Sequence, residues 1–329
     1  MLEKRKVIID CDPGIDDSLA LMLALSSPEL EVVGITVVCG NAPTNLGVEN
    51  ALKVLNLMNR LDIPVYFGEE KPLVREYVSA QDTHGMDGLG ETNYQKVLKG
   101  NVKENAPEFI IRALKEQAQL SIIALGPLTN IAVALSKDKE IFKRLDTFVS
   151  MGGNFKSHGN CSPVAEYNYW CDPDAAKMVF EEFEKLEKKV HMVGLDVTRQ
   201  IVLTPSLLSY IKRIDEERGS FVENIVQFYF DFHWEYEKII GCVINDPLAV
   251  AYFIDPMICN GFEAFTTVET KGICIGQSVV DSMDFWKRNK NSVVLTEVNA
   301  RAFFEMFINR IFGGDHALTK EILTSIGIK

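Results

Sequence analysis

The sequence predicts an α/β protein with a mostly parallel central sheet, helices on both faces, and a helical and small-strand elaboration toward the C-terminus. Two observations carry this. Short, continuously apolar runs alternate with helix-like segments through the first two thirds of the chain, and strands apolar on both sides belong to a parallel sheet covered on both faces. Several of those runs end in polar clusters, at the strand ends where open parallel sheets bind ligands. With 329 residues, no repeat, no low-complexity stretch and no clear linker, residues 1–329 are expected to form one domain, since α/β folds often run past ~250 residues as a single unit.

Element by element, residues 7–10 form a short apolar run before the turn Asp12-Pro13-Gly14, and 17–25 reads as a helix. Residues 32–38 are a second strand, 46–58 a second helix, and 65–68 a third strand. A helix at 107–117 leads to a buried strand at 121–125, and Pro127 and Thr129 open a helix at 131–135. The strand 147–151 ends in Gly152-Gly153; a helix at 175–183 and a strand at 190–195 follow. The last third is less regular. Helices are expected at 204–214, 221–240, 246–253 and 300–311, with short strands at 265–268, 277–280 and 293–295.

Composition removes several function classes. Charged residues make up 24% and hydrophobic residues 47%, an ordinary globular balance that excludes disorder, collagen and coiled coil. Acids outnumber bases 46 to 34, a net charge of −12, and no Lys/Arg-rich stripe exists. A nucleic-acid partner is therefore not expected. Seven cysteines without a CxxC pair argue against a zinc ribbon or disulfide framework and fit a reducing cytoplasm. A charged N-terminus running into a strand, and no apolar run long enough to span a bilayer, give no signal-peptide or membrane reading.

The chemistry concentrates after the first strand, where Asp10, Asp12, Asp16 and Asp17 follow the pattern DxDxxxDD. Carboxylates this crowded take up protons unless a cation neutralises them, and a hard divalent ion with oxygen ligands suits the set. Capping of the next helix would explain one aspartate, not four. An EF-hand is excluded, because the following helix does not fit its loop and the closing Glu is absent. Haloacid-dehalogenase-like phosphatases carry DxDx(T/V), with the first Asp as nucleophile, but Gly14 occupies the fifth position here.

Residues 10–17 read Asp-Cys-Asp-Pro-Gly-Ile-Asp-Asp. This resembles the DxDPGxDD fingerprint of the inosine-uridine preferring nucleoside hydrolase family at every fixed position. Further segments resemble that family in its own order over about 250 residues. They are Gly40-Asn41, His84 to Gly90, Leu125 to Asn130, Met151-Gly152-Gly153, Gly159-Asn160, Ala165 to Asn168, Asp172-Pro173 and Asn245-Asp246-Pro247.

The resemblance implies a Rossmann-like nucleoside hydrolase fold, one calcium ion, and hydrolysis of the N-glycosidic bond of ribonucleosides in purine or pyrimidine salvage. Asp12, Asp17 and Asp246 would be side-chain ligands and the Leu125 carbonyl a backbone ligand, with Asp10 orienting Asp12 or a turn amide. Asp246 before Pro247 would also serve as a helix cap. A calcium-bound water would give its proton to Asp12 as general base. Asp16 would bind the 2′-hydroxyl with Asn41 nearby. Asn160, Glu166 and Asn168 would hold the 3′- and 5′-hydroxyls, with Met151 in the same sugar-binding stretch and Asp246 also meeting ribose. His84 would sit either on a lid or in a purely structural turn. Homodimers or homotetramers are common in the family.

One position departs from the pattern. Members preferring inosine and uridine commonly place a His before the late Asp as acid for the departing base; here that residue is Asn245, which donates a hydrogen bond but delivers no proton. Tyr229 and His233, four apart on the expected 221–240 helix, share a face and offer a substitute acid, or are surface or core residues. Trp170 would either stack on a base or fill the core. Two alternatives stay open at this level: a magnesium-dependent phosphatase with Asp10 as nucleophile, and a non-catalytic ribose or nucleoside binder.

Overall fold

The computed structural model describes residues 4–328. Apolar runs pair in parallel as β1 (Arg5–Cys11), β2 (Leu30–Val37), β3 (Val65–Phe67), β4 (Val102–Glu104), β5 (Leu120–Ala124), β6 (Phe148–Met151) and β7 (Val190–Val193). A two-stranded antiparallel ribbon follows, β8 (Val202–Leu203) with β9 (Cys242–Val243). Then come β10 (Cys259–Val268), β11 (Ser278–Asp281) and β12 (Ser292–Val298). The sheet order is β11-β10-β12-β7-β6-β5-β1-β2-β3-β4. The short C-terminal strands are thus a continuation of the central sheet: β12 runs parallel to β7, β10 is antiparallel to both its neighbours, and β11 again runs with the rest.

Helices cover the sheet. α1 (Ile15–Leu25) and α2 (Thr44–Leu57) follow the first two strands, α3 (Gln81–His84) is a single turn, and α4 (Ala106–Glu116) and α5 (Thr129–Lys137) flank β5. α6 (Tyr167–Cys171), α7 (Pro173–Lys185) and α8 (Leu195–Thr198) surround β7. α9 (Pro205–Ile214), α10 (Glu216–Glu237) and α11 (Asp246–Ile254) form the helical insertion, and α12 (Ala300–Phe312) and α13 (His316–Ser325) close the chain. α1 is buried along nearly its whole length because α11 and α10 pack on the side away from the sheet. One apolar cluster fills that side, and a second fills the opposite face around α4, α5 and α7.

The sequence reading missed the elements without a hydrophobic signature. β4 is an exposed edge strand joined only through its backbone, and α13 buries only Thr319 and Leu323. α10 begins at Glu216 because Asp215 caps it, accepting from the Arg218 amide. It ends at Glu237 because Lys238 takes a left-handed φ of 58°.

The strand order positions the site. The chain steps outward from β1 through β2, β3 and β4, then returns to β5 on β1's other side. At such a reversal the loops leaving neighbouring strands diverge and open a crevice at the carboxyl ends. The loops after β1, β2, β5 and β6 border that crevice.

Candidate active site

The floor is made of aspartates. Asp17, in the first turn of α1, accepts from the Asp12 amide through Oδ1 (3.1 Å) and from the Gly14 amide and Asn41 Nδ2 through Oδ2 (3.0 and 2.8 Å). It therefore does cap α1, while fastening the β1 turn to the β2 turn. Asp12 Oδ2 accepts from the Asn41 amide at 2.7 Å, but its Oδ1 is buried without a partner. Gly40 and Gly126 lie so close that a Cβ at either would overlap the Asp12 carboxylate. These glycines are required by close approach rather than by a turn.

Asp16, Asp17 and Asp246 each bring a carboxylate oxygen within 4.8 Å of the others. Asp12 stands just outside that trio, joined to it through Asp17. Asp246 is the first residue of α11 but forms no cap hydrogen bond; the N-cap position is Asn245. Among the described residues none of these four carboxylates makes an ion pair. Burial, and then the neighbouring aspartate charges, push the pKa of Asp12 and of Asp246 well up, and Asp17 up to about 6. Buried like charges without a counter-ion are costly, and a hard cation is what this donor set fits. Asp10 lies beneath, fully buried, its Oδ1 accepting from Thr36 Oγ1 (2.6 Å) and Asn130 Nδ2 (2.8 Å).

Above the floor opens a cavity of about 350 Å³, with Asp16, Asn41, Leu125, Asn168, Asn245 and Asp246 among its lining. On one side Glu166 caps α6: Oε1 accepts from the Asn168 amide, and Oε2 from the Gly153 and Tyr169 amides. Burial raises its carboxyl to about 7. Asn168 Nδ2 donates to the carbonyls of Leu125 (2.7 Å) and Met151 (3.1 Å), so the side chain is fixed with its own carbonyl oxygen directed away from them. Asn160 is exposed at the rim, its Oδ1 accepting from the Tyr167 amide.

The opposite wall is aromatic. Tyr229 lies between two buried histidines, its ring centre 5.3 Å from His84 and 4.4 Å from His233. His84 Nδ1 accepts from the Ile15 amide at 3.1 Å, so its proton sits on Nε2. His233 Nδ1 donates to the Tyr229 carbonyl at 2.8 Å, leaving Nε2 as acceptor. Burial lowers both pKa values, so both rings are neutral at pH 7. Asn245 Nδ2 donates to Asp16 Oδ2 (3.1 Å) and Tyr229 Oη (3.4 Å), and its Oδ1 is a buried acceptor without a partner.

Trp170 lines the cavity half-buried, but the Arg75 guanidinium covers its ring at 3.8 Å. It is therefore neither a core residue nor a bare stacking platform. Sequence reasoning missed Arg75, Tyr167 and Arg199. Tyr167 donates to the Gly40 carbonyl across the crevice. Its position between Glu166 and Asn168 was the available signal; Arg75 and Arg199 carry none in the sequence.

A polar floor under a half-aromatic cavity, at the carboxyl ends of a parallel sheet, fits a small ligand with a hydroxyl-rich half and a flat half. The profile of the family described as inosine-uridine preferring nucleoside hydrolase matches residues 7–305, and the chain belongs to that family. It is similar to the pyrimidine-specific ribonucleoside hydrolase RihA of Salmonella paratyphi C, 35% identical over 309 residues, covering 93% of this chain and 97% of the relative. Among solved structures it is similar to a purine-preferring ribonucleoside hydrolase from Gardnerella vaginalis (32% identity, TM-score 0.87, 96% of this chain and 99% of that one). A plant nucleoside hydrolase, PpNRh1, superimposes with TM-score 0.87 at 31% identity, covering 94% and 99%.

The activity is hydrolysis of the N-glycosidic bond of ribonucleosides. This overturns the phosphatase alternative. Asp10, its required nucleophile, is fully buried, with Oδ1 held by Thr36 of β2 and Asn130 of α5.

Proposed function

We propose that this ribonucleoside hydrolase is calcium-dependent, with Asp12, Asp17, Asp246 and the Leu125 carbonyl as ligands and Asp12 as general base. The observation carrying this reading is the buried, unpartnered Asp12 Oδ1 beside a carboxylate trio that has no protein cation. When bound, the cation supplies charge neutralisation and Lewis acidity toward oxygen.

The chain's own residues do the rest. Asn41 holds Asp12 by its amide and Asp17 by its side chain, which fixes the base's orientation. Asp16, Asn160, Glu166 and Asn168 take the ribose hydroxyls, and the surrounding carboxylates stabilise the positive charge that develops at the ribosyl centre. A partner built for the 2′-hydroxyl rejects deoxyribose, because a buried polar group is then left unpaired. On the base side, Asn245 orients Tyr229 and Asp16 without delivering a proton. His233, neutral at pH 7, acts as an acid only after Nε2 is charged.

The setting we propose is nucleoside salvage in the cytoplasm, by a single catalytic domain that assembles as a homodimer or homotetramer. Seven free cysteines support a reducing compartment. No helix among the described residues is long and apolar enough to cross a membrane. A reducing-sugar assay over ribonucleosides, with chelator and with calcium restored, tests the reading. Ribose release abolished by chelation and restored by calcium is expected. Release indifferent to chelation overturns the metal, and nucleoside binding without any release overturns catalysis.

A further inference from the structure

The end of α10 hangs over the cavity on very little. Phe232, His233, Tyr236 and Glu237 line the cavity, yet Trp234 is 55% and Tyr236 67% exposed. Across residues 231–240, a single side-chain hydrogen bond reaches another element, among the described residues. It is Arg199 Nη2 to Glu237 Oε1 at 3.3 Å, which is also an ion pair.

The same guanidinium serves the other wall. Arg199 donates to Ser157 Oγ, to the His158 carbonyl (2.5 Å) and to the Gly159 carbonyl (3.0 Å). This loop has no secondary structure of its own. Its first three amides, of Phe155, Lys156 and Ser157, donate to the carboxylate of Asp196, three residues before Arg199 (2.6, 2.8 and 3.0 Å), while the Gly159 and Asn160 amides donate to the Pro163 and Ala165 carbonyls. Asp196 thus holds the amides at the start of the loop, and Arg199 holds the His158 and Gly159 carbonyls immediately before Asn160.

We propose that Arg199 is a positioning residue that latches the sugar-side loop 157–160 to the base-side end of α10, so that both walls of the cavity are set by one guanidinium. It rests on the reading above, that Asn160 meets the sugar and α10 covers the base. The chemistry requires arginine. Its planar fork serves acceptors on two segments at once, which a lysine ammonium on a flexible stem does not. The pair is partly exposed, 17% for Arg199 and 22% for Glu237, so it is weak enough to open when a base enters or leaves. Burial lowers the His233 pKa, while Glu237 pushes it up and Arg199 down, which places both charges beside the ring they would position.

The test uses full-length wild type, Arg199→Ala, Arg199→Lys, Glu237→Gln, Glu237→Ala and the double alanine variant, with calcium present. Hydrogen–deuterium exchange and steady-state ribose release are read together. Expected for Glu237→Gln is faster exchange across residues 231–238 only, with a KM rise of about 2–5-fold, the scale of a partly exposed pair. Arg199→Ala should speed exchange in both 155–160 and 231–238. It should lower kcat/KM about 10²-fold, the cost of misplacing a bound group by ~1 Å. Arg199→Lys should rescue the α10 exchange but not the loop. The double variant should match Arg199→Ala alone. Strictly additive losses, or exchange of 231–238 unmoved by Glu237→Gln, overturn the latch while leaving hydrolysis intact. A wild type releasing no ribose overturns the functional reading instead.

Discussion

Replacing Asp12 by asparagine should destroy turnover yet make the metal-free protein more stable. The shape is nearly unchanged. An amide oxygen can still accept from the Asn41 amide, and the amide NH₂ takes the place of the unpartnered Oδ1 near Asp17. What disappears is a buried charge. Asp17 sits at about 6, against an ordinary 3.8, through burial and then the charge of Asp16. At about 1.4 kcal/mol per decade of proton affinity, that gap of roughly two decades is worth about 3 kcal/mol for Asp17, and Asp12, pushed well up by burial and then by the charge of Asp17, carries a penalty of the same sign. A carboxylate whose folded pKa exceeds its unfolded one holds its proton more tightly when folded. Its ionisation subtracts from stability as pH rises through the folded pKa, about 6 for Asp17. Unfolding 329 residues carries about 0.7 kcal/mol/K of entropy at ~2 cal/mol/K per residue, so 3 kcal/mol is about 4 °C. In chelator at pH 7.5, Asp12→Asn should therefore melt above wild type, with the gap closing on acidification as the Asp12 carboxyl of the wild type takes up its proton. The buried histidines cancel, being common to both proteins. Adding calcium should raise wild type more than the variant, since a ligand stabilises only the state that binds it. Turnover should fall roughly 10²–10⁴-fold for loss of a general base. Calorimetry and ribose release measure both. A variant melting below wild type in chelator at pH 7.5, or a gap that widens on acidification, would refute the account of the floor.

Asn245→His should raise the rate on inosine or uridine while barely changing p-nitrophenyl riboside, whose leaving group needs no acid; equal acceleration of both would show that proton delivery is not what this position lacks. If His233 is the acid, His233→Ala should lose inosine hydrolysis and spare p-nitrophenyl riboside, and retained inosine hydrolysis would clear it of the role. Gly126→Ala should stay folded but lose metal-dependent stabilisation, because its Cβ would displace the Asp12 carboxylate; an unchanged calcium-induced Tm shift would contradict this. Trp170→Phe should change KM by only about twofold for any nucleoside, since Arg75 already covers the ring; a large, base-dependent loss would restore Trp170 as a stacking wall.

The sequence by itself determined the parallel sheet, because strands buried on both faces show apolar runs rather than alternation, as Val7 to Ile9 in β1 and most of β5 and β6 do. It also determined the floor. Asp12, Asp16 and Asp17 are local to one turn, so a motif of eight residues carries them. Tertiary structure decided what depends on contacts between distant segments. Asp246 could be a cap or a ligand on sequence grounds, and only the packing of α11 on α1 brings it beside Asp16 and Asp17. Trp170 could be core or stacking wall, and Arg75, nearly a hundred positions away, covered it. The tautomers of His84 and His233 follow from an amide at Ile15 and a carbonyl at Tyr229. Arg199 has no motif at all, because its role comes from reaching two segments about forty residues away on either side. Periodicity and spacing report how a residue meets its own neighbours. Which partner a side chain finds across a cavity is set by the strand order that opens the cavity.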